Sequence, residues 1–238
     1  MASPESVAEG VWLVRGGFPR TMNVFLIEDP SGAVVFDAGI SSMVRQVRAA
    51  AAGLGGISKV VLGHGHPDHR GTAPALDAPV FCHPAEKEDA ESERGESYFD
   101  TSKLPLPARL VYPKLLRHWD GGPVEISGTV EEGDEVAGFT VVHLPGHAPG
   151  LIALFRESDR VALVSDLFYT VDIRTGLPCS PRLSHDAFTL DRSLASQSLR
   201  KLADLRPSVA LPGHMDGVTG DVRSTLLEIA DREDARNP

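Results

Sequence analysis

Short apolar runs broken by glycine, proline and polar turns recur along the first third of the chain, and their spacing predicts an antiparallel meander. Residues 11–14, 24–27 and 33–36 are its β-rich runs. The period then changes. Val44, Val47, Ala51 and Leu54 recur as on a helix, with serines at 41 and 42 placed to cap free amides and Gly55-Gly56 placed to close it. A strand over 59–62 runs directly into Gly63-His64-Gly65-His66-Pro67-Asp68-His69, after which 72–76 is short and helix-compatible and 80–82 is another strand. The segment 86–122 starts highly charged, becomes rich in leucine, proline and aromatics, and shows no single period. A second strand block at 139–144, 151–155 and 160–164 echoes the first. Residues 190–205 and 221–231 read as helices, with a short strand at 209–211 between them.

Composition bounds what this pattern can be. A chain of 238 residues with 42% apolar content can bury a full core, as one large domain or two fused halves. No run approaches the roughly 18 apolar residues of a membrane span, and residues 1–9 lack the basic flank and apolar stretch of a secretion signal. A cytoplasmic protein without a membrane partner is expected. Cys82 and Cys179 are too few for a disulfide framework, form no close pair, and read as buried small apolar residues. A formal net charge of −10, with scattered rather than clustered basic residues, repels a phosphate backbone and argues against nucleic acid as a partner.

Chemistry concentrates in the histidine-rich string. In an extended segment side chains alternate, so His64 and His66 project to one side, while Asp68 and His69 lie one turn further on and can face the same cavity. The bland alternative is a solvated, histidine-rich loop. Three further residues favour the metal reading: His147 in Pro-Gly-His, Asp166 in Ser-Asp and His214 in Pro-Gly-His each follow a strand-like run. Imidazole and carboxylate without thiolate suit zinc, iron or manganese, with zinc first on affinity and availability. Two such cations about 3.5–4 Å apart can share a water whose pKa falls from about 15.7 to near 7, giving a hydroxide nucleophile.

The His64-Gly65-His66-Pro67-Asp68-His69 string and its downstream partners resemble the signature of the metallo-β-lactamase superfamily, over about residues 11–214. That resemblance implies an α+β fold, a four-layer αβ/βα sandwich. Residues 1–238 would form a single domain, with 86–122 a variable segment over the active site. It also implies that His64, His66 and His147 bind one Zn2+, that Asp68, His69 and His214 bind a second, and that Asp166 bridges them; Fe or Mn stay open. Asp37, in an Asp-Ala-Gly turn, resembles an element that orients the histidine loop, and a plain turn aspartate remains the alternative. Asp68 can shuttle a proton. Tyr169, three residues past Asp166, resembles the tyrosine of acyl-homoserine lactonases that contacts the substrate carbonyl; core packing is the other reading.

The implied activity is a dinuclear hydrolase attacking an ester, lactone, thioester or related carbonyl in a small substrate with an apolar or acyl part. Residues 104–119 would wall that part or bury a homodimer interface. Glyoxalase II resembles the chain at the ligands but carries an additional helical domain, and few residues follow His214 here. True β-lactamases are usually exported and do not use aspartate at the bridging position. A mononuclear iron enzyme of the persulfide dioxygenase type, or a non-catalytic binding member of the fold, are the alternatives. His83, His118 and His185 follow no ligand spacing and read as structural or pocket-lining.

Overall fold

In a computed structural model, residues 3–17, 20–93, 95, 98–172 and 175–236 are described. The chain opens with β1 (Glu5–Ala8), β2 (Val11–Gly16), β3 (Met22–Ile27) and β4 (Ala33–Phe36), then α1 (Val44–Ala52), β5 (Ile57–Val61), α2 (Pro67–Arg70), β6 (Val80–Cys82), α3 (Lys87–Glu91), α4 (Leu106–Trp119) and β7 (Ile126–Thr129). These strands form one seven-stranded sheet in sequence order, antiparallel through β4 and parallel from β4 to β7. The second half supplies β8 (Glu135–Val136), β9 (Phe139–His143), β10 (Ile152–Arg156) and β11 (Val161–Ser165). After a hairpin, β12 (Tyr169–Asp172) and β13 (Leu177–Arg182), come α5 (Arg192–Asp204), β14 (Val209–Pro212), β15 (Val218–Thr219) and α6 (Val222–Asp234). Its sheet runs β15-β14-β11-β10-β9-β8.

Period-two alternation within the strands makes the layers. On β3, Phe25 and Ile27 face the inter-sheet core, while Val24 and Leu26 face the cluster that also buries Val47 and Ala51 of α1. On β11, Val161 and Leu163 join that same inter-sheet core, whereas Ala162 and Val164 pack with Leu199 and Leu202 of α5 and Leu226 and Ile229 of α6. Because both faces of each sheet are covered, the central strands read as continuous apolar runs. The result is the expected αβ/βα sandwich, with helices outside two face-to-face sheets.

Several local expectations change. Ser41 and Ser42 sit in a 3-10 turn without a capping bond, and Ser41 Oγ instead donates to the His118 carbonyl at 3.0 Å. Cys82 is buried, but Cys179 on the polar hairpin is only half-buried; both are free thiols. The segment without a readable period contains α4. Its inward stripe is Ala108, Tyr112, Leu115, Leu116 and Trp119, which Leu106, Leu110 and Val111 on the exposed face obscure. Pro107 fits the helix start and Pro113 lies inside the helix, so proline punctuation misleads there.

Candidate metal centre

Each site residue sits where a strand ends. Asp37 follows β4, the His64-to-His69 string follows β5, His147 follows β9, Asp166 follows β11 and His214 follows β14. Packing the two sheets face to face therefore carries all these loops to one rim. Asp68 and His69 lie in α2, a single turn opened by Pro67 at its first position, which swings both back toward His64. Asp37 (φ 55°) and Ser165 (φ 46°) adopt left-handed backbone that non-glycine residues resist, turning the chain sharply out of β4 and β11. Gly63 is required between them: a Cβ there would stand 2.5 Å from Ser165 Oγ and 2.8 Å from Asp37 Oδ1.

The side chains converge closely. His64 Nε2 lies 2.8 Å, and His147 Nε2 3.1 Å, from His66 Nδ1. Asp166 reaches the Nε2 atoms of His69 (3.2 Å), His214 (3.3 Å), His147 (3.6 Å) and His64 (3.9 Å). Asp68 Oδ2 is 3.5 Å from His214 Nε2. The outward nitrogens are held from behind: His64 Nδ1 by Ser165 Oγ (3.0 Å) and His147 Nδ1 by Ser184 Oγ (2.7 Å). Asp37 Oδ2 stands 3.0 Å from His69 Nδ1, though off the line of a hydrogen bond, while its Oδ1 accepts from Gly63 N–H at 2.8 Å. Such backing fixes which ring nitrogen faces inward. The Asn23 amide donates to the carbonyls of Pro212 (2.9 Å) and Met215 (2.6 Å), pinning the turn that carries His214.

Electrostatics match a cation. Burial pushes the pKa values of His64 and His66 well down and that of His147 to about 4, leaving neutral imidazoles with free lone pairs. On His69 and His214 burial opposes charge, but the Asp166 carboxylate overrides it and raises both. Asp166 in turn is held well below the usual carboxylate range, because His214 and His69 outweigh the penalty of its burial. Three inward nitrogens meeting at His66 Nδ1 cannot all satisfy one another with one proton per ring, and buried Asp166 Oδ1 has no hydrogen-bond donor among the described residues. The donors fit metal ions. Asp166 with His64, His66 and His147 forms one group able to hold an ion, and Asp68 with His69 and His214 another; Asp37, His64 and His69 also cluster.

A pocket opens beside the cluster. His66, Asp68, Tyr169 and His214 line one side, and Phe99, Tyr112, Leu115, Leu116, Trp119 and Phe188 give it apolar walls. The Tyr169 hydroxyl donates to Asp166 Oδ2 at 2.7 Å. His83 stacks on His143 and its Nδ1 accepts from Ala85 N–H, His118 is exposed, and His185 Nδ1 accepts from Ala187 N–H, all away from the cluster. Sequence reasoning missed Ser165, Ser184, Asn23, Arg70 and Glu86, ordinary polar residues whose value appears only once distant loops meet. Glu86 is fully buried, and burial lifts its carboxyl to about 7.

A sandwich of two sheets with histidines and aspartates gathered at their strand ends defines a metal-dependent hydrolase scaffold. This chain belongs to the metallo-beta-lactamase superfamily, whose family model matches residues 17–214. It is 31% identical to the probable metallo-hydrolase YflN of Bacillus subtilis over 92% of this chain and 90% of that protein. It is 28% identical to the acyl-coenzyme A thioesterase MBLAC2 of Gallus gallus over 82% of this chain and 72% of that one. Among solved structures, the metallo-beta-lactamase family protein TTHA1429 of Thermus thermophilus superposes with a TM-score of 0.71, at 26% identity, covering 97% of this chain and 81% of that one. TTHA1623, solved in a di-iron-bound form, gives 0.64 at 26% identity, over 91% and 96% of the two chains. No helix among the described residues is long and apolar enough to cross a membrane.

Proposed function

We propose that the protein is a dinuclear metal-dependent hydrolase acting on an ester, thioester or lactone with an apolar acyl part. One observation carries this reading: Asp166 lies within 3.9 Å of four imidazole Nε2 atoms and so joins the two ligand sets. His64, His66 and His147 would hold one ion, Asp68, His69 and His214 the other, with Asp166 shared. A bound cation pair supplies Lewis acidity, polarising a carbonyl and acidifying a water toward neutrality. Zinc suits these donors, and the di-iron neighbour keeps iron open. Two ligand sets sharing a carboxylate favour this reading over a mononuclear iron dioxygenase.

The chain's own residues do the rest. The apolar wall from Phe99 to Trp119 and Phe188 takes the acyl group and keeps water from it. The similarity to an acyl-coenzyme A thioesterase supports a thioester among the candidates. Asp68 is the most exposed carboxylate of the cluster, and burial raises its pKa, which suits a group that takes up and passes on a proton. Tyr169, donating to Asp166 Oδ2 at the pocket wall, can turn its hydroxyl to the substrate oxygen that gains charge.

Esters, lactones and thioesters assayed before and after chelation test the class. Turnover that chelation abolishes and metal restores is expected; the absence of chelator-sensitive turnover on the whole panel would leave a binding role instead. Tyr169→Phe is expected to keep its metal and lose roughly 10²-fold in kcat/KM, the cost of a removed oxyanion donor. Unchanged turnover would reduce the tyrosine to packing.

A further inference from the structure

Glu86 lies outside both ligand sets, at the end of the 3-10 turn Pro84–Glu86 that follows β6. Its carboxylate is fully buried, and among the described residues it has no cationic partner. What it does have is two backbone donors. Oε2 accepts from Gly65 N–H at 2.7 Å and Oε1 from Gly150 N–H at 2.6 Å. Gly65 separates His64 from His66 on the loop leaving the seven-stranded sheet. Gly150 lies three residues past His147, on the β9–β10 loop of the other sheet.

Both donors are glycines pressed against their surroundings. A Cβ on Gly150 would stand 2.7 Å from His83 Nδ1 and 2.8 Å from Glu86 Cγ, and one on Gly65 would stand 3.2 Å from Ala90 N. An acid buried without a counter-charge is costly, and an apolar residue of similar volume fills space more cheaply. Linking two N–H groups across the sandwich is the gain that offsets this. The second ligand set is held by other means: Asp37 behind His69 and Asn23 on the His214 turn.

We propose that Glu86 is a positioning residue that sets the separation between the His64–His66 pair and His147, and thereby controls the affinity of that ion site alone. This rests on the reading of those histidines as one ion site. The glutamate acts as a clamp, not as a ligand.

The test is a Zn2+ titration of the purified full chain against a chromophoric chelator, resolving two affinities. His64→Ala and His214→Ala serve as references that assign each affinity to its ligand set. Glu86→Gln keeps the shape but turns an amide donor toward one of the two N–H groups. It is expected to weaken the affinity assigned by His64→Ala by about 10- to 100-fold, with the other unchanged within about threefold. Gly150→Ala, which displaces the same N–H while leaving the carboxylate intact, is expected to weaken the same site and guards against a Gln variant that does not fold. Equal weakening of both sites, or of neither, overturns the clamp. A wild-type chain that binds fewer than two ions overturns the two-ion reading itself, and the clamp with it.

Discussion

Replacing Asp166 by alanine is expected to lower hydrolytic turnover by on the order of 10³-fold, the upper range for removing one preorganised electrostatic group, and to leave no more than one tightly held ion per chain. The carboxylate reaches the Nε2 atoms of His64, His69, His147 and His214 together. Its loss also removes from His69 and His214 the carboxylate that does most to raise their pKa values, leaving Asp37 beside the one and Asp68 beside the other, so both pKa values fall. The folded state should survive, since the surrounding rings remain packed among Tyr169, His147 and Phe99. Metal analysis after dialysis, paired with turnover and circular dichroism, checks this. Full metal content with wild-type turnover in the variant would remove Asp166 from the centre.

Arg70→Met should have the largest effect on stability. The guanidinium is wholly buried beside His69. Its Nη1 donates to the carbonyls of Asp89 (2.7 Å), Ala90 (2.7 Å) and Ser92 (2.9 Å), while Nε and Nη2 grip the two oxygens of Asp120 at 3.2 and 2.9 Å. Methionine fills the space but takes the charged donor from the Ser92 carbonyl and from the Asp120 carboxylate, which keeps only Gly122 N–H among the described residues, while the carbonyls of Asp89 and Ala90 keep the N–H groups of Ser92 and Val124. Breaking such a pair from one side costs about 3–5 kcal/mol, a fall of about 10 °C in Tm for a chain this long. Arg70→Lys should recover only part of the loss, because one ammonium cannot span both the carbonyls and the bidentate aspartate. Thermal and urea unfolding would show both effects; an Arg70→Met chain as stable as wild type would mean that the buried guanidinium contributes nothing net to the fold.

The strands and the donor-rich string from His64 to His69 were legible because their signals are local. Buried strands such as 33–36 and 80–82 are apolar on both faces, and the string from His64 to His69 is dense in donors. Less legible were features that depend on a second element. Helix α4 hides its inward stripe behind exposed leucines and two prolines, and β13 (Leu-Pro-Cys-Ser-Pro-Arg) carries the prolines of a strand paired on one side only. The residues that orient the histidines were invisible for the same reason. Ser165 and Ser184 are unremarkable serines until the fold brings each within 3.0 Å of an imidazole. From sequence, Asp37 stands between a turn residue and an orienting partner; in the fold its Oδ1 accepts from Gly63 N–H and its Oδ2 stands 3.0 Å from His69 Nδ1.

Everything proposed for the site turns on two ions sharing the Asp166 carboxylate at the rim of the sandwich. Crystals of the metal-loaded protein, with anomalous diffraction recorded on either side of the metal absorption edge, address it directly. Two peaks per chain are expected, one among His64, His66 and His147, the other among Asp68, His69 and His214, with Asp166 touching both. A single peak, or peaks away from Asp166, would contradict it.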